Sequence, residues 1–289
     1  MIKTEKNVPL LKKTTFRIGG PVEKIVYPET LEEVSRIMKG GEVTFVLGGG
    51  SNILVSDAGI KGTALSLSRG FRDVRISERK NGEAVIIAGS GAGLTKLAKT
   101  MGEESLSGLE FGFGIPGFVG GALKMNAGAY GGEMKNVVET VTVVTNDGEI
   151  ETLSQEECGF DYRASRFPDG SVIVETTLRL IEGEKERIGE KMRQSYKLRK
   201  ENQPLEIPSA GSIFKNPEGE SAGRLIEKAG LKGYRVGGAA VSARHANFIV
   251  NLGNAKAENV LALIEKIENT VSNKFGINLE REIKLVGEF

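Results

Sequence analysis

The spacing of apolar residues predicts that amphipathic helices and short strands alternate along this chain. Leu31, Val34 and Ile37 recur at helical spacing and give one apolar face to a segment that follows Thr30. Thr30 and Glu33 have the Thr-x-x-Glu spacing of a capping box, in which each side chain accepts a hydrogen bond from the other residue's backbone N–H. The sequence therefore predicts a helix that opens at Thr30.

Two segments are predicted as β-hairpins because apolar, β-branched runs flank strong turn signals. The first turn is Asn81-Gly82 and the second is Asn146-Asp147-Gly148. Further helices and a final strand are predicted over residues 94–101, 184–202, 222–229, 256–275 and 279–286. The helices and strands predicted over residues 222–286 indicate a compact α+β unit.

The stretch from Glu110 to Gly132 differs from the rest of the chain, since eight of its twenty-three residues are glycine and few are charged. Glycine lets backbone N–H groups approach a ligand without a Cβ in the way, at a cost in conformational entropy. A tightly packed turn region would explain two or three glycines. Eight of them, together with Pro116, Asn126 and Tyr130, favour a cradle for a cofactor.

A second glycine cluster, residues 48–52 with the sequence GGGSN, follows a predicted buried strand, Val43 to Leu47. Three glycines, a hydroxyl and an amide after a strand can form a nest of backbone N–H groups that binds an anion such as pyrophosphate. A tight turn between two strands explains the same pattern. Neither glycine cluster has the Gly-Lys-Ser/Thr ending of a phosphate-binding loop or the dinucleotide fingerprint before a helix.

Composition excludes several classes of function. Lysine and arginine number 39 against 38 aspartate and glutamate, which gives no electrostatic case for a nucleic-acid or membrane partner. The single cysteine, Cys158, is interpreted as an inert core thiol, and the single histidine, His245, leaves little for a zinc site. No signal region and no run of about eighteen apolar residues is present, so a cytoplasmic protein without a membrane partner is expected.

Six segments, in this order, resemble the UDP-N-acetylenolpyruvoylglucosamine reductase family: LGGGSN, GIPGFVGGALKMNAGAYG, YRASRF, PSAGSIFKNP, HANFIVN and LEREIKLVG. The resemblance spans about residues 14–287. It implies an α+β fold of the vanillyl-alcohol-oxidase type, with two FAD-binding subdomains and a C-terminal α+β substrate-binding domain. The expected domains are residues 1–67, 68–202 and 203–289. For the last strand, packing against the FAD-binding subdomains is the alternative.

The resemblance also implies a non-covalently bound FAD, since the only histidine lies far along the chain. It implies that NADPH is the co-substrate, using the same cleft as the sugar nucleotide. The residues expected to hold FAD are Gly48, Gly49, Gly50, Ser51, Asn52, Gly114, Ile115, Pro116, Gly117, Gly120, Gly121, Asn126, Ala127, Gly128 and Ala129.

Three catalytic residues are implied by the same resemblance. Arg163 matches the family's arginine and offers a planar fork for the substrate carboxylate, with a salt bridge between domains as the alternative. Ser212 matches the proton donor to carbon. Glu282 matches a glutamate near the carboxylate, where a raised pKa would let its neutral form donate a hydrogen bond; Glu280 is the alternative.

The substrate side is expected to resemble the shorter class of the family. Only 67 residues separate Gly211 from Leu279, which leaves no room for the insertion that carries a substrate-gripping tyrosine in the other class. Lys215 and Asn216 are candidate ligands for the substrate, and Tyr196 is a candidate for the diphosphate. The basic helix that contains Tyr196 is interpreted as a solvated connector, with nucleotide binding as the alternative.

The predicted function is NADPH-dependent reduction of UDP-N-acetylglucosamine enolpyruvate to UDP-N-acetylmuramate, a step in peptidoglycan synthesis. One alternative is another FAD oxidoreductase of the same superfamily that oxidises an alcohol or a sugar. A second alternative is a binding protein for a flavin or a nucleotide sugar without turnover. The joint presence of Arg163, Ser212 and Glu282 argues against a mere binder. No obligate protein partner is expected.

Overall fold

The computed structural model describes all 289 residues, Met1–Phe289. The helices are α1 (Leu31–Lys39), α2 (Leu94–Glu103), α3 (Val119–Lys124), α4 (Lys185–Asn202), α5 (Ala222–Lys228) and α6 (Ala257–Phe275). The strands are β1 (Lys3–Pro9), β2 (Pro21–Tyr27), β3 (Val43–Val46), β4 (Ile53–Val55), β5 (Ile60–Leu65), β6 (Val74–Lys80), β7 (Glu83–Gly89), β8 (Leu106–Ser107), β9 (Gly128–Ala129), β10 (Gly132–Glu133), β11 (Val138–Val144), β12 (Ile150–Ser154), β13 (Val172–Glu182), β14 (Ser209–Ser212), β15 (Arg235–Val236), β16 (Ala239–Val241), β17 (Phe248–Asn251) and β18 (Lys284–Val286). The mixture of helices and strands agrees with the predicted α+β class.

The predicted start of α1 is confirmed, although its capping box is only half formed. The Thr30 hydroxyl accepts a hydrogen bond from the Glu33 N–H at 3.3 Å, as an N-cap does. The Glu33 carboxylate accepts instead from the N–H of Glu29, at 2.9 Å. The return bond therefore reaches one residue further back than the capping box requires.

Both predicted hairpins are present. β6 and β7 pair antiparallel with Lys80 opposite Glu83, and Asn81 and Gly82 both have positive φ, as the expected turn requires. β11 and β12 pair antiparallel across the second turn. The predicted final strand is shorter than expected, because the strand covers only Lys284–Val286, which pairs in parallel with β4.

The chain divides into two compact units. The first contains Met1–Glu5, Lys24–Gly49 and Gly62–Arg199, and the second contains Lys6–Glu23, Gly50–Lys61 and Lys200–Phe289. Two short segments from the N-terminal quarter of the chain thus lie in the same unit as the C-terminal residues. The three-domain division expected from the sequence is finer than this one and stays a prediction.

The first unit is built on an antiparallel sheet with the strand order β12-β11-β13-β7-β6, to which β8 adds by pairing with β13. Apolar residues of α2 and α3 pack with the buried residues of this sheet in one core. Cys158 lies in that core, and burial raises the pKa of its thiol to about 11, so the thiol is unreactive as predicted. Residues of α1 pack in a smaller cluster with β5, β11 and β13.

The second unit has its own sheet, with the antiparallel strand order β14-β17-β16-β15. Apolar residues of α5 and α6 form its core with that sheet and with Phe16, Leu54 and Ile283. The remaining four-stranded sheet has the order β1-β2-β5-β3, in which β3 and β5 are parallel. No helix combines the length and the apolar character needed to cross a membrane.

Candidate active site

The glycine-rich stretch is an ordered part of the first unit, with α3 and the β9–β10 pair inside it. Phe111, Val119 and Leu123 anchor it in the core. A Cβ on Gly49 would lie 2.6 Å from the Cα of Gly117, so only glycine lets the turn after β3 touch this stretch. The structure therefore brings two of the predicted cofactor segments, 48–49 and 114–121, into direct contact.

Three groups in this unit fit a bound ligand. A Cβ added to Gly48 or to Gly121 would meet no protein atom within 4 Å. The hydroxyl of Ser90 is buried and has no hydrogen-bond partner, although Ser90 lies against Gly120, whose added Cβ would be 2.9 Å from the serine Cβ. An unpaired buried hydroxyl costs about 1–3 kcal/mol, which a bound cofactor would remove. Ser90 was missed in the sequence, although it stands in a GSGAG run directly after a buried strand.

The other predicted cofactor residues of the first unit offer mainly backbone atoms. The carbonyl of Ile115 accepts from the hydroxyl of Thr95 at 2.9 Å. Gly128 and Ala129 form β9 and pair with β10. Ala127 bonds through its N–H to Ala122 at 2.8 Å, which ties the end of α3 to β9.

Asn126 does not present its side-chain amide to a ligand. Its side chain is fully buried, and both amide N–H groups donate within the protein, to the Glu133 carboxylate at 2.9 Å and to the Asp161 carbonyl at 3.0 Å. Its amide oxygen accepts from the N–H of Lys135 at 2.9 Å. Any contact with FAD through this amide nitrogen would need one of these bonds to break.

The rest of the GGGSN segment lies in the second unit. Gly50 has φ of 62° and its carbonyl accepts from the N–H of Thr15 at 3.0 Å. Ser51 adjoins it and also has an interaction within the protein. The amide of Asn52 donates to the carbonyl of Glu282 at 3.1 Å, so this side chain supports the segment that carries a predicted catalytic residue.

Ser212 and Glu282 lie on neighbouring segments of the second unit. The N–H of Glu282 donates at 2.8 Å to the carbonyl of Ile213, the residue after Ser212, and Phe214 forms a β-bridge with Arg281. Both side chains are half-buried. Two residues seventy positions apart in sequence, 212 and 282, are thereby brought to one place, as the predicted roles require.

Asn247 holds the same segment from the other side. Its amide oxygen accepts from the N–H of Phe214 at 3.0 Å, and its amide nitrogen donates to the carbonyl of Phe214 at 2.8 Å. Its own carbonyl accepts from the N–H of Ile213 at 2.8 Å. The residues directly after Ser212 are therefore held by hydrogen bonds to both Glu282 and Asn247. Such support is required to keep the Ser212 hydroxyl in one position.

Three further predicted residues are engaged within the protein: Lys215, Glu280 and Asn216. The Lys215 ammonium pairs with the Glu280 carboxylate at 2.6 Å, and the Glu280 side chain is 71% exposed. This ion pair favours Glu282 over Glu280 as the catalytic glutamate. The amide oxygen of Asn216 accepts from the N–H of Ala222 at 3.0 Å and caps the start of α5.

Arg163 stands on a tight turn of the first unit. The turn is closed by two backbone bonds between Asp161 and Ala164, of 3.0 and 3.2 Å, and Arg163 has φ of 53°. A non-glycine residue in this left-handed region is strained, and such strain concentrates at functional sites. The guanidinium donates to the carbonyl of Gly128 at 2.8 Å, which aims it at the glycine-rich stretch.

The first unit contains a second arginine of interest, Arg199. The sequence analysis interpreted its helix as a solvated connector. Arg199, on α4, has a buried Nε without a hydrogen-bond partner. Burial lowers the pKa of Arg199, Tyr130 opposes this shift, and the charge of Arg163 lowers the pKa further. Arg163 and Arg199 thus both place positive charge in the first unit, which favours an anionic ligand.

Tyr196 lies on the same helix and flanks the same stretch. Its ring packs edge-on against Phe113, with 5.7 Å between centroids, and a Cβ on Gly114 would lie 2.8 Å from its ring. The side chain of Tyr196 is exposed, as a ligand contact requires. The predicted role of Tyr196 at the diphosphate stays a prediction.

Comparison with known proteins matches two family models to this chain, one in each half of the sequence. A family model described as FAD binding domain matches residues 22–154, and one described as UDP-N-acetylenolpyruvoylglucosamine reductase, C-terminal domain, matches residues 203–286. These matches confirm the predicted α+β FAD-binding fold with a C-terminal domain, and they confirm FAD as the cofactor.

Full-length relatives carry the same name. UDP-N-acetylenolpyruvoylglucosamine reductase of Agathobacter rectalis is 44% identical over 97% of this chain and 93% of its own length. The protein of that name from Syntrophomonas wolfei is 45% identical over 98% of this chain and 94% of its own. The crystal structure of UDP-N-acetylenolpyruvylglucosamine reductase from Thermus caldophilus matches with a TM-score of 0.86 and 39% identity, over 99% of this chain and all of that one. The chain belongs to the UDP-N-acetylenolpyruvoylglucosamine reductase family.

Proposed function

We propose that this chain reduces UDP-N-acetylglucosamine enolpyruvate to UDP-N-acetylmuramate, with FAD as its cofactor and NADPH as co-substrate, in peptidoglycan precursor synthesis. The observation that carries the proposal is the bond between the Glu282 N–H and the Ile213 carbonyl, at 2.8 Å. It holds an acid beside the strand end that presents Ser212. Nucleotide sugars and NADPH are cytoplasmic compounds, so the proposed location is the cytoplasm.

The residues of the first unit fit FAD. Gly48 and Gly121 leave open space where a Cβ would stand, and the buried Ser90 hydroxyl lacks a partner. Backbone N–H groups at such glycines suit pyrophosphate oxygens and the edges of a flavin ring. His245, the only histidine, packs against Phe248 in the second unit with 4.9 Å between ring centroids. We propose that FAD is bound without a covalent link.

The reaction determines what the protein must supply. When bound, FAD would supply the hydride chemistry, with NADPH as the source of the hydride and the terminal carbon of the enol ether as its acceptor. Negative charge then develops on the neighbouring carbon and spreads into the attached carboxylate. The protein must stabilise that charge and provide one proton to the carbon.

Arg163 binds the substrate carboxylate in this proposal. Its guanidinium is always charged and offers a fork of N–H donors that matches two carboxylate oxygens. The strained turn and the bond to Gly128 hold the fork before substrate arrives, so little reorganisation is needed when charge develops. Arg199 adds a second positive charge close to the first.

Ser212 delivers the proton to the carbon, and Glu282 contacts the substrate carboxylate in this proposal. A serine is a weak acid, so its contribution depends on position and on reprotonation after each turnover. The bonds from Asn247 to Phe214 and from Asn52 to the Glu282 carbonyl fix both segments. The sugar nucleotide is held by Lys215, Asn216 and Tyr196; Lys215 reaches the diphosphate by exchanging its partner Glu280, which is mostly exposed.

Replacing Gly121 by alanine is expected to weaken FAD binding by at least about tenfold, because the new methyl group enters space left for the cofactor. The Cβ meets no protein atom, so the apoprotein should be at least as stable as the parent. Fluorescence titration with FAD and thermal unfolding of the apoprotein measure the two effects.

Gly189→Ala on α4 is the matched control, since the nearest atom to its Cβ is the flexible end of Arg193. This variant should bind FAD as the parent does. Undiminished FAD affinity in the Gly121→Ala protein would remove Gly121 from the cofactor site.

The function itself is tested by steady-state oxidation of NADPH with UDP-N-acetylglucosamine enolpyruvate, with the product identified by mass spectrometry. UDP-N-acetylmuramate should form in amounts equal to the NADPH consumed. Another FAD oxidoreductase of this superfamily would instead oxidise an alcohol or a sugar and ignore the enol ether. A binding protein would retain FAD and show no turnover with either class of substrate.

A further inference from the structure

We propose that Asn126 is a positioning residue, whose buried amide holds the turn that carries Arg163. The family's sequence pattern had suggested a contact between Asn126 and FAD. The structure instead places its amide nitrogen between the Glu133 carboxylate, at 2.9 Å, and the Asp161 carbonyl, at 3.0 Å. This inference rests on the proposed role of Arg163 at the substrate carboxylate.

The Arg163 turn depends on this support. Asp161 is the first residue of the turn, and its carbonyl also accepts from the N–H of Ala164, at 3.2 Å, which closes the turn. Arg163 itself sits at φ of 53°, a conformation that a non-glycine residue holds only when its surroundings determine it. A donor fixed to the Asp161 carbonyl is such a determinant, because it sets the position and plane of the peptide that enters the turn.

Asn126 can serve as a fixed point because it is itself held on three sides. The carboxylate of Glu133 that accepts its amide also pairs with the Lys135 ammonium, at 2.8 Å. The N–H of Lys135 donates to the Asn126 oxygen at 2.9 Å. Asn126, Glu133 and Lys135 therefore form one network between the glycine-rich stretch and the turn.

The same network sets the other anchor of the arginine. The guanidinium of Arg163 donates to the carbonyl of Gly128, and Gly128 pairs directly with Glu133 across β9 and β10. Two contacts therefore locate Arg163: the Asp161 carbonyl at the start of its turn and the Gly128 carbonyl at its guanidinium. The first is bonded to Asn126, and the second belongs to the residue that pairs with Glu133. Loss of the amide leaves the Asp161 carbonyl without this donor and frees the turn to shift. A misplacement of about 1 Å in a positioning group can cost roughly 10²-fold in rate.

The test compares Asn126→Ala, Asn126→Ser and Asn126→Asp with the control Asn146→Ala in the FAD-loaded protein. Asn146 lies in the same unit and likewise donates its amide to a backbone carbonyl, that of Asp169 at 2.9 Å, outside the network of Asn126, Glu133 and Lys135. FAD content, the rate of FAD reduction by NADPH, the rate of its reoxidation by the enolpyruvyl sugar and the calorimetric Kd for UDP-N-acetylmuramate are measured for each. The same Asn126 change is also made in an Arg163→Ala background.

We expect Asn126→Ala to retain FAD and normal reduction by NADPH, to slow reoxidation by roughly 10²-fold, and to weaken product binding by about tenfold. In the Arg163→Ala background the same change should alter reoxidation by less than about twofold, because its effect acts through Arg163. Asn146→Ala should match the parent in both half-reactions.

Two results would overturn the proposal. Loss of FAD from all three Asn126 variants would assign the residue to the cofactor, and equal effects of Asn126→Ala with and without Arg163 would show that it acts independently. Failure of the proposed function is distinguishable from both, since the parent protein itself would then not be reoxidised by the enolpyruvyl sugar. Failure of the Arg163 role alone would leave reoxidation unchanged in Arg163→Ala.

Discussion

Ser212→Ala is expected to slow reoxidation of the reduced protein by the enolpyruvyl sugar roughly 10²- to 10⁴-fold, the range for loss of a positioned general acid. Reduction of FAD by NADPH should be unaffected, because that half-reaction needs no proton from Ser212. Alanine fits the strand, and the backbone bonds that fix its neighbours Ile213 and Phe214 do not involve the hydroxyl. Anaerobic stopped-flow absorbance of the flavin separates the two half-reactions.

Ser209→Ala is the matched control, since Ser209 begins the same strand, β14, and its carbonyl still accepts the bond from Thr15 after the change. This variant should reoxidise at close to the parental rate. Equal slowing of both half-reactions by Ser212→Ala, or equal effects of the two serine changes, would remove Ser212 from the proton-donor role.

Arg163→Ala should have the second largest effect. Loss of a preorganised donor to the developing charge is expected to lower kcat/KM for the enolpyruvyl sugar roughly 10²- to 10³-fold. Arg163→Lys should recover only part of this, because a lysine keeps the charge but cannot offer the fork that matches two carboxylate oxygens. Steady-state kinetics with the sugar nucleotide varied at saturating NADPH measure both variants.

Arg166→Lys provides the control, because Arg166 follows on the same loop with an exposed side chain. Its kcat/KM should stay near the parental value. Full recovery of activity in Arg163→Lys would show that charge alone suffices and would contradict the carboxylate fork.

Local features of the fold were readily predicted from the sequence. The Asn81-Gly82 turn requires positive φ at both residues, and few residue pairs other than Asn-Gly tolerate it, so the hairpin follows from two residues. Thr30 caps α1 because its hydroxyl satisfies a free N–H of the first turn. These signals act within a few positions, where sequence spacing and spatial distance agree.

Long-range partners could not be predicted in this way. The pairing of β18 with β4 joins residues more than two hundred positions apart, and the pattern of neither strand specifies the other. Residues 50–61 likewise lie in the same compact unit as residues 200–289, and nothing in the pattern of this segment indicates so distant a partner. Hydrophobic periodicity gives the face of a strand that is buried, not the element that buries it.

Side-chain direction was the other gap in the sequence analysis. Asn52 and Asn126 occur in ligand-binding motifs, yet the amide nitrogen of each donates to a backbone carbonyl of a segment that carries a predicted catalytic residue, Glu282 or Arg163. Asparagine suits both uses, since its amide has donors and an acceptor for either a ligand or a backbone. Only the folded structure distinguishes a residue that touches the ligand from one that supports the residue that does.

The most direct test of the central claim is an anaerobic absorption experiment on the FAD-loaded protein. One equivalent of NADPH should bleach the flavin absorbance, and one equivalent of UDP-N-acetylglucosamine enolpyruvate should then restore it while UDP-N-acetylmuramate forms. A bleached protein that does not recover with the enol ether, or an apoprotein that cannot be loaded with FAD, would contradict the account.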